Sequence, residues 1–154
     1  MSTPSQRPPK YIYKILPPSP APPSPLPLSL PLSDLDSRDG FIHMSTSGQI
    51  LGTLNNFFSA TSHVYILRVP YAEVESRVKW EMAAGKKADE KGGCWDTEGR
   101  AGGFPHIYEV GDEEGKGTLR LGREEVENVG MWEKGEGSWS EKGWPFGEDE
   151  PNQA

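Results

Sequence analysis

Two histidines and one glutamate are the residues best suited to acid–base chemistry in this chain. His43 lies in Gly40–Thr46, directly before a predicted helix whose first amides and dipole favour a ribose or phosphate. Glu81 follows Trp80, and a carboxylate beside an aromatic ring suits a sugar or a cationic ring. His106 lies in a β-like segment. Each also has a plainer explanation, as a packed imidazole or an exposed carboxylate.

Metal binding and thiol chemistry have weaker support. The three histidines, at positions 43, 63 and 106, lack the spacing of a metal-binding pair, so no metal is expected. Cys94 is the single cysteine, which excludes an internal disulfide framework. It lies in a glycine-rich stretch without a neighbouring base, so it is a poor candidate nucleophile.

The main helix is predicted over residues 47–59 and would position His43. Thr46 and Gln49 have capping-box spacing. An apolar stripe at helical spacing follows, made of Ile50, Leu51, Leu54, Phe57 and Phe58. Alternating or apolar runs predict strands at 11–16, 41–44, 63–69, 78–81, 104–108 and, weakly, 118–121. Helical turns are predicted at 71–76 and 124–129, a polar turn at 34–40 and a long loop at 82–103.

The domain organisation follows from composition. Residues 1–10 are predicted to be disordered, 11–130 to form one domain, and 131–154 to form an acidic extension rich in Trp and Gly. Eight of the fifteen prolines lie in 17–31, which predicts extended or polyproline II chain, with its leucines laid on the core. Its P-x-x-P steps suit a polyproline-reading partner. At least one of the three late tryptophans should pack on the body, these being Trp132, Trp139 and Trp144.

Charge and hydropathy exclude some function classes. The net charge is −7, and residues 109–154 hold 13 acidic and 5 basic residues, whereas residues 1–108 are almost neutral. An acidic tail repels phosphate backbones, which argues against duplex nucleic acid as a partner. No apolar run reaches the ~18 residues of a membrane span, and the start lacks a secretory signal. We therefore expect a cytoplasmic protein.

Five ordered motifs together resemble an uncharacterised family, domain of unknown function 952. The resemblance covers about residues 11–110. The motifs are Ile12-Tyr13-Lys14-Ile15, Asp39-Gly40-Phe41-Ile42-His43-Met44-Ser45-Thr46, Val64-Tyr65-Ile66-Leu67-Arg68-Val69, Trp80-Glu81 and Phe104-Pro105-His106-Ile107-Tyr108. The chain departs from the family pattern in its Pro-rich segment and its long loop at 82–103.

The family looks similar in fold to ADP-ribosyltransferases and RNA 2′-phosphotransferases. This implies an α+β fold in which small, split, bent and mostly antiparallel sheets surround a cleft for NAD, with one main amphipathic helix. The site residues of ADP-ribosyltransferases lie on three successive parts of the chain. Matched by their order, Lys14 corresponds to the first, His43 with Ser45 to the second, and Glu81 or His106 to the last.

The resemblance also implies a division of roles. His43, Glu81 and His106 would be catalytic, with Glu81 facing the positive charge that develops on the ribose. The other candidates would bind the dinucleotide through hydroxyls, charge, helix amides or stacking, and they are Tyr13, Lys14, Ser45, Thr46, Trp80 and Tyr108.

Three functions remain open: a nucleotide site that transfers or hydrolyses ADP-ribose, a binding module without catalysis, and a structural domain without a ligand. The first requires His43, Glu81 and His106 to meet in one solvent-reachable place.

Overall fold

The computed structural model describes residues 9–81, 104–111 and 117–146. The predicted disorder at the start, the long loop with Cys94 and the end of the tail lie mostly or wholly outside these residues. The strands are β1 (Tyr11–Leu16), β2 (Ile42–His43), β3 (His63–Pro70), β4 (Val78–Glu81), β5 (Phe104–Ile107), β6 (Val110–Gly111), β7 (Gly117–Thr118) and β8 (Asn128–Glu133). The helices are α1 (Asp34–Asp39), α2 (Ser47–Phe57) and α3 (Tyr71–Val74), with 3-10 turns at Glu75–Arg77 and Glu141–Gly143.

The strands form small antiparallel sheets. The first has the order β1-β3-β8, the second β2-β5-β4, and β6 pairs with β7. This arrangement confirms the predicted mixture of helices with small antiparallel sheets. None of the helices in the described ranges has the length and apolar character needed to cross a bilayer.

Helix α2 begins where its capping signal predicts. Thr46 is the N-cap residue, and its amide donates to Gln49 Oε1 at 2.9 Å. Ile50 and Leu54 are fully buried. The predicted stripe was wrong at Phe57, which is exposed, because the helix ends there and the side chain points away from the sheet's core.

Helix α1 corrects the predicted polar turn at 34–40. Ser33 Oγ accepts a hydrogen bond from the amide of Asp36 at 3.1 Å, which is N-terminal capping. Gly40 ends the helix with φ of 78°, a left-handed conformation that glycine adopts without strain.

Strand β8 also departs from prediction. The helical turn predicted at 124–129 was wrong: residues 123–125 form a turn, and β8 starts at Asn128. The strand predicted at 118–121 was wrong at 119–121, and the observed β7 is Gly117–Thr118. β8 pairs along β3 from His63↔Glu133 to Arg68↔Asn128, so the predicted domain boundary at residue 130 falls inside a strand.

The first sheet has an apolar core on each of its faces. The core toward the second sheet contains Ile12, Ile42, Met44, Leu67, Val69, Tyr71, Val74, Ile107 and Leu121. The core toward α2 contains Tyr13, Ile50, Leu54, Val64, Ile66, Trp132, Trp139 and Phe146. Burial of Trp132 and Trp139 confirms that late tryptophans pack on the body.

The Pro-rich segment has neither helix nor strand, as predicted. Leu30 is anchored by its amide to the carbonyl of Leu121 at 2.8 Å, and its side chain packs against the first core. Leu28 and Leu32 are exposed, so the prediction that all four leucines lie on the core was wrong for these two. The Pro27 carbonyl also accepts from the Arg123 amide at 2.9 Å, so the second half of the segment is held to the domain at two points.

Candidate functional site

The outer face of the second sheet brings the two candidate histidines together. His43 on β2 lies directly opposite His106 on β5, and the next pair, Ile42 and Ile107, points into the first core. Their ring centroids are 5.2 Å apart. Phe41 packs on both imidazoles, with centroids 4.2 Å from His106 and 4.7 Å from His43.

Two aspartates of α1 hold the imidazole of His43. Asp36 Oδ1 lies 2.6 Å from Nδ1 and also accepts from the His43 amide at 3.1 Å. Asp39 Oδ2 lies 3.0 Å from Nε2. An ionised carboxylate only accepts hydrogen bonds, so each ring nitrogen of His43 faces a hydrogen-bond acceptor.

Lys14 supports this arrangement from β1. Its buried ammonium donates to Asp36 Oδ2 at 2.6 Å and to the His43 carbonyl at 3.1 Å. Burial lowers the pKa of Lys14, against the opposing effect of Asp36. Burial alone would raise the pKa of Asp36, but hydrogen bonding to His43 and the charge of Lys14 outweigh it, and the pKa is lowered. Asp36 is therefore ionised and is the structural partner of both the Lys14 ammonium and the His43 imidazole.

Glu81 makes the second pairing. Its Oε1 accepts from the Tyr108 hydroxyl at 2.6 Å and lies 3.0 Å from His106 Nδ1. The Tyr108 hydrogen bond is the main cause that lowers the pKa of Glu81. Burial, followed by Glu81, raises the pKa of Tyr108 to about 12. Burial lowers the pKa of His106, although Glu81 opposes the change.

We call this group the His–carboxylate cluster; it consists of Lys14, Asp36, Asp39, Phe41, His43, Glu81, His106 and Tyr108. Three polar side chains of the cluster reach water, with exposed fractions of 29% for His43, 27% for Asp39 and 39% for Glu81, and the Phe41 and Tyr108 residues are also only partly buried. Asp36 and His106 are almost fully buried. The cluster thus has a buried side and a solvent-facing side. The solvent-facing side offers an imidazole and two carboxylates for acid–base or electrostatic chemistry.

Four predicted binding residues do not join the cluster through their side chains. Tyr13 points to the opposite face of the first sheet, into the core toward α2. Ser45 pairs with Tyr13 through both backbone groups at 2.8 Å, and the Thr46 amide is used by Gln49. Because strand side chains alternate, Trp80 faces the first core while Glu81 faces out. The indole Nε1 of Trp80 donates to the Tyr71 hydroxyl at 3.2 Å.

Asp36, Asp39 and Phe41 are cluster members that sequence reasoning did not single out. The signal for Asp36 was the Ser33-x-x-Asp36 spacing of a capping box, which predicts a helix rather than a turn. Asp39 and Phe41 belong to the motif that contains His43, but nothing in the sequence assigned them a role in the site. Within the three described ranges, no group of three or more His, Cys, Asp or Glu residues is placed to hold a metal ion.

Comparison with known proteins identifies the family. A family model described as "Protein of unknown function (DUF952)" matches residues 28–129. The chain belongs to the DUF952 family. The match spans every residue of the cluster except Lys14, which precedes it. No curated protein matches the chain.

Solved structures of similar fold come from Caulobacter crescentus. The crystal structures of its protein CC0527 and of a double mutant of that protein each superpose with a TM-score of 0.52 at 22% identity. Each match covers 84% of this chain and 91% of the other. At this identity the likeness shows a shared fold for this DUF952 protein and nothing of its activity.

Proposed function

We propose that the His–carboxylate cluster binds a nucleotide of the NAD or ADP-ribose type, and that it transfers or hydrolyses ADP-ribose. One observation carries the proposal: His43, Glu81 and His106, from chain segments far apart in sequence, meet on one partly exposed sheet face. Three independent candidates that share a site are stronger support than any of them alone.

The chemistry follows from the charges. Breaking the bond between nicotinamide and ribose leaves its electron pair on the nicotinamide and a positive charge on the ribose carbon. The ionised carboxylate of Glu81 would stabilise that charge. Water or an acceptor hydroxyl would then bond to the carbon and release its proton to solvent or to an acceptor in the cluster. Phe41 and Tyr108 provide ring surface beside the carboxylate.

The resemblance to ADP-ribosyltransferases belongs to this proposal. It supports NAD as the ligand to test first, with Glu81 or His106 in the late position and His43 in the middle one. Lys14 would act indirectly, because its ammonium is buried against Asp36 and the His43 carbonyl.

A second candidate is a nucleotide-binding module without catalysis. Both nitrogens of His43 already face carboxylates, and Glu81 Oε1 already has two partners. Groups whose hydrogen bonds are already made are less free to take up or release a proton during a reaction. This candidate predicts saturable binding of the same nucleotides with no product after hours of incubation.

The test measures thermal unfolding with NAD and with ADP-ribose, followed by mass spectrometry for released nicotinamide. A ligand at 100 times its Kd adds about 2.7 kcal/mol to the unfolding free energy, which is a measurable rise in Tm. His43→Ala and Glu81→Gln should each remove the rise, whereas His63→Ala, an imidazole on β3 outside the cluster, should keep it. Absence of a rise in the native protein would contradict nucleotide binding.

A further inference from the structure

Two buried polar atoms in the core toward α2 have no hydrogen-bond partner among the described residues: the Tyr13 hydroxyl and the indole Nε1 of Trp144. Tyr13 is fully buried, and the partly buried Trp144 packs against the same core. A buried donor without an acceptor costs free energy, so such groups in folded proteins almost always have a partner. These two atoms therefore need an acceptor that no described side chain or carbonyl supplies.

The two side chains are neighbours although they come from opposite ends of the described chain. Tyr13 is on β1, and Trp144 is in the segment after β8. Their ring centroids are 5.2 Å apart at an interplanar angle of 68°. The Phe146 ring adjoins both, at 5.7 Å from Tyr13 and 5.4 Å from Trp144. One small guest among these rings could therefore serve both polar atoms.

The two other indoles of this core show how it usually satisfies such a donor. The Nε1 of Trp132 donates to the Ser140 carbonyl at 3.1 Å. The Nε1 of Trp139 donates to the Phe58 carbonyl at 2.9 Å. In the part of the chain that the structure describes, no carbonyl does the same for Trp144. An acceptor from outside the chain would complete the pattern.

The charges beside Tyr13 favour a neutral guest. Arg68 lies opposite Tyr13 on β3, and its guanidinium is 5.1 Å from the Phe146 ring centroid. That cation is already paired with Glu127, whose Oε1 is 2.6 Å from its Nη2. An anion placed here would lose its hydration without gaining an unpaired counter-charge. A water molecule, by contrast, is neutral and commonly satisfies buried polar groups.

We propose that one internal water molecule lies between β1 and the segment after β8, where it accepts hydrogen bonds from the Tyr13 hydroxyl and from Trp144 Nε1. This site is separate from the His–carboxylate cluster and does not depend on the proposed function. The water completes the packing of the segment after β8 against the core. It also gives the Tyr13 hydroxyl a role other than the predicted contact with a dinucleotide.

The first test is an NMR measurement of the native protein, in which nitrogen-edited NOE and ROE spectra detect transfer between water and the indole protons. The Nε1 proton of Trp144 should show a water cross-peak of opposite sign in the two spectra, which distinguishes a long-lived bound water from proton exchange. The Nε1 proton of Trp139 is the matched control and should show none, because it is bonded to the Phe58 carbonyl. Trp144→Phe assigns the resonance.

The second test uses the sign of a stability change. Tyr13→Phe keeps the ring and deletes only the hydroxyl. If the water is bound, this variant removes one of its partners, and the urea midpoint of unfolding should fall. If the hydroxyl has no partner, its deletion relieves an unsatisfied buried group, and the midpoint should rise. Tyr65→Phe, a partly buried tyrosine on β3, is the control and should change the midpoint little.

Three results would each overturn the proposal. Absence of the water cross-peak at Trp144 would leave its indole N–H against the face of a neighbouring ring. A higher urea midpoint in Tyr13→Phe would show that the hydroxyl has no partner. Broadening of the chloride NMR resonance by the native protein, but not by Tyr13→Phe, would show that the guest is an anion. None of these measurements involves a nucleotide, so they leave the test of the proposed function unaffected.

Discussion

His106 illustrates how burial controls a titratable residue of this site. Its imidazole is almost fully buried between Phe41 and Glu81. Water no longer solvates the charged form, so the pKa is lowered even though a carboxylate lies 3.0 Å away. The folded protein therefore holds this imidazole neutral over a range in which the unfolded chain would protonate it.

This difference predicts that the protein loses stability on mild acidification. Below pH 6.5 the unfolded chain takes up a proton at residue 106 before the folded protein does, so the unfolding free energy falls as the pH drops through that value. The slope from this one group is at most about 1.4 kcal/mol per pH unit. Urea unfolding between pH 7.5 and 5.5 measures it, because unfolded carboxylates titrate mainly below this range.

Matched variants test the role of His106. His106→Gln should have a flatter profile than the native protein, whereas Ser29→Ala, which removes no titratable group, should keep the native slope. A slope in His106→Gln equal to that of the native protein would contradict the assigned role of burial.

At this scale the sequence indicates which residue types can do chemistry, but their partners are harder to predict. His43, Glu81 and His106 were singled out by type and by their neighbours. Asp36 was missed because its importance depends on Lys14 and His43, which lie 22 positions before it and seven after it. Tyr13 and Trp80 were assigned to the site, but strand alternation turns both rings into the cores.

Helix α1 is the element on which the cluster depends most. Its six residues are too few to be helical alone, so its cap and its contacts must hold it. Asp36 and Asp39 project from it to both nitrogens of His43. Loss of α1 would release both carboxylates.

Removal of the α1 cap should therefore affect stability and the site together. Ser33→Ala deletes the oxygen that accepts from the Asp36 amide, and N-cap losses of this kind cost about 1 kcal/mol. Chemical denaturation measures this loss, and Ser29→Ala, which changes an exposed serine in the Pro-rich segment, is the control. Equal stability of the two variants would show that the cap contributes nothing.

The elements with irregular sequence patterns were also the hardest to predict. β1, β3 and α2 have long, regular patterns and were predicted within one or two residues. β8 was missed because Gly130 interrupts its alternation, and its strand character comes from pairing with β3 about 65 positions earlier. Local propensity does not contain such a contact.

At the scale of the whole molecule, the segment after β8 closes the core toward α2. Trp139 donates from its indole to the Phe58 carbonyl and from its amide to Asn55, both at 2.9 Å. The Trp132 indole donates to the Ser140 carbonyl at 3.1 Å. The composition suggested that residues 131–154 are an extension. As far as Phe146, this segment instead packs against the core toward α2 and is part of the domain.

Trp139→Ala should accordingly destabilise the whole domain. Truncating a buried aromatic costs about 3–5 kcal/mol, since both contacts and volume are lost. Equilibrium unfolding by urea measures the change. Phe57→Ala is the control, because this aromatic is mostly exposed at the end of α2, and its loss should be far smaller. Similar losses in both variants would contradict a structural role for the tail.

The strand pairing of Ile42 with Ile107 and of His43 with His106 ties the chemistry of this molecule to its hydrophobic interior. Inserting or deleting one residue within β2 would exchange the faces of every later side chain on that strand. A polar imidazole would then face the apolar core, or an isoleucine would face water. Insertions and deletions within β2 should therefore be selected against because they prevent folding, whether or not the residues of the cluster have an activity.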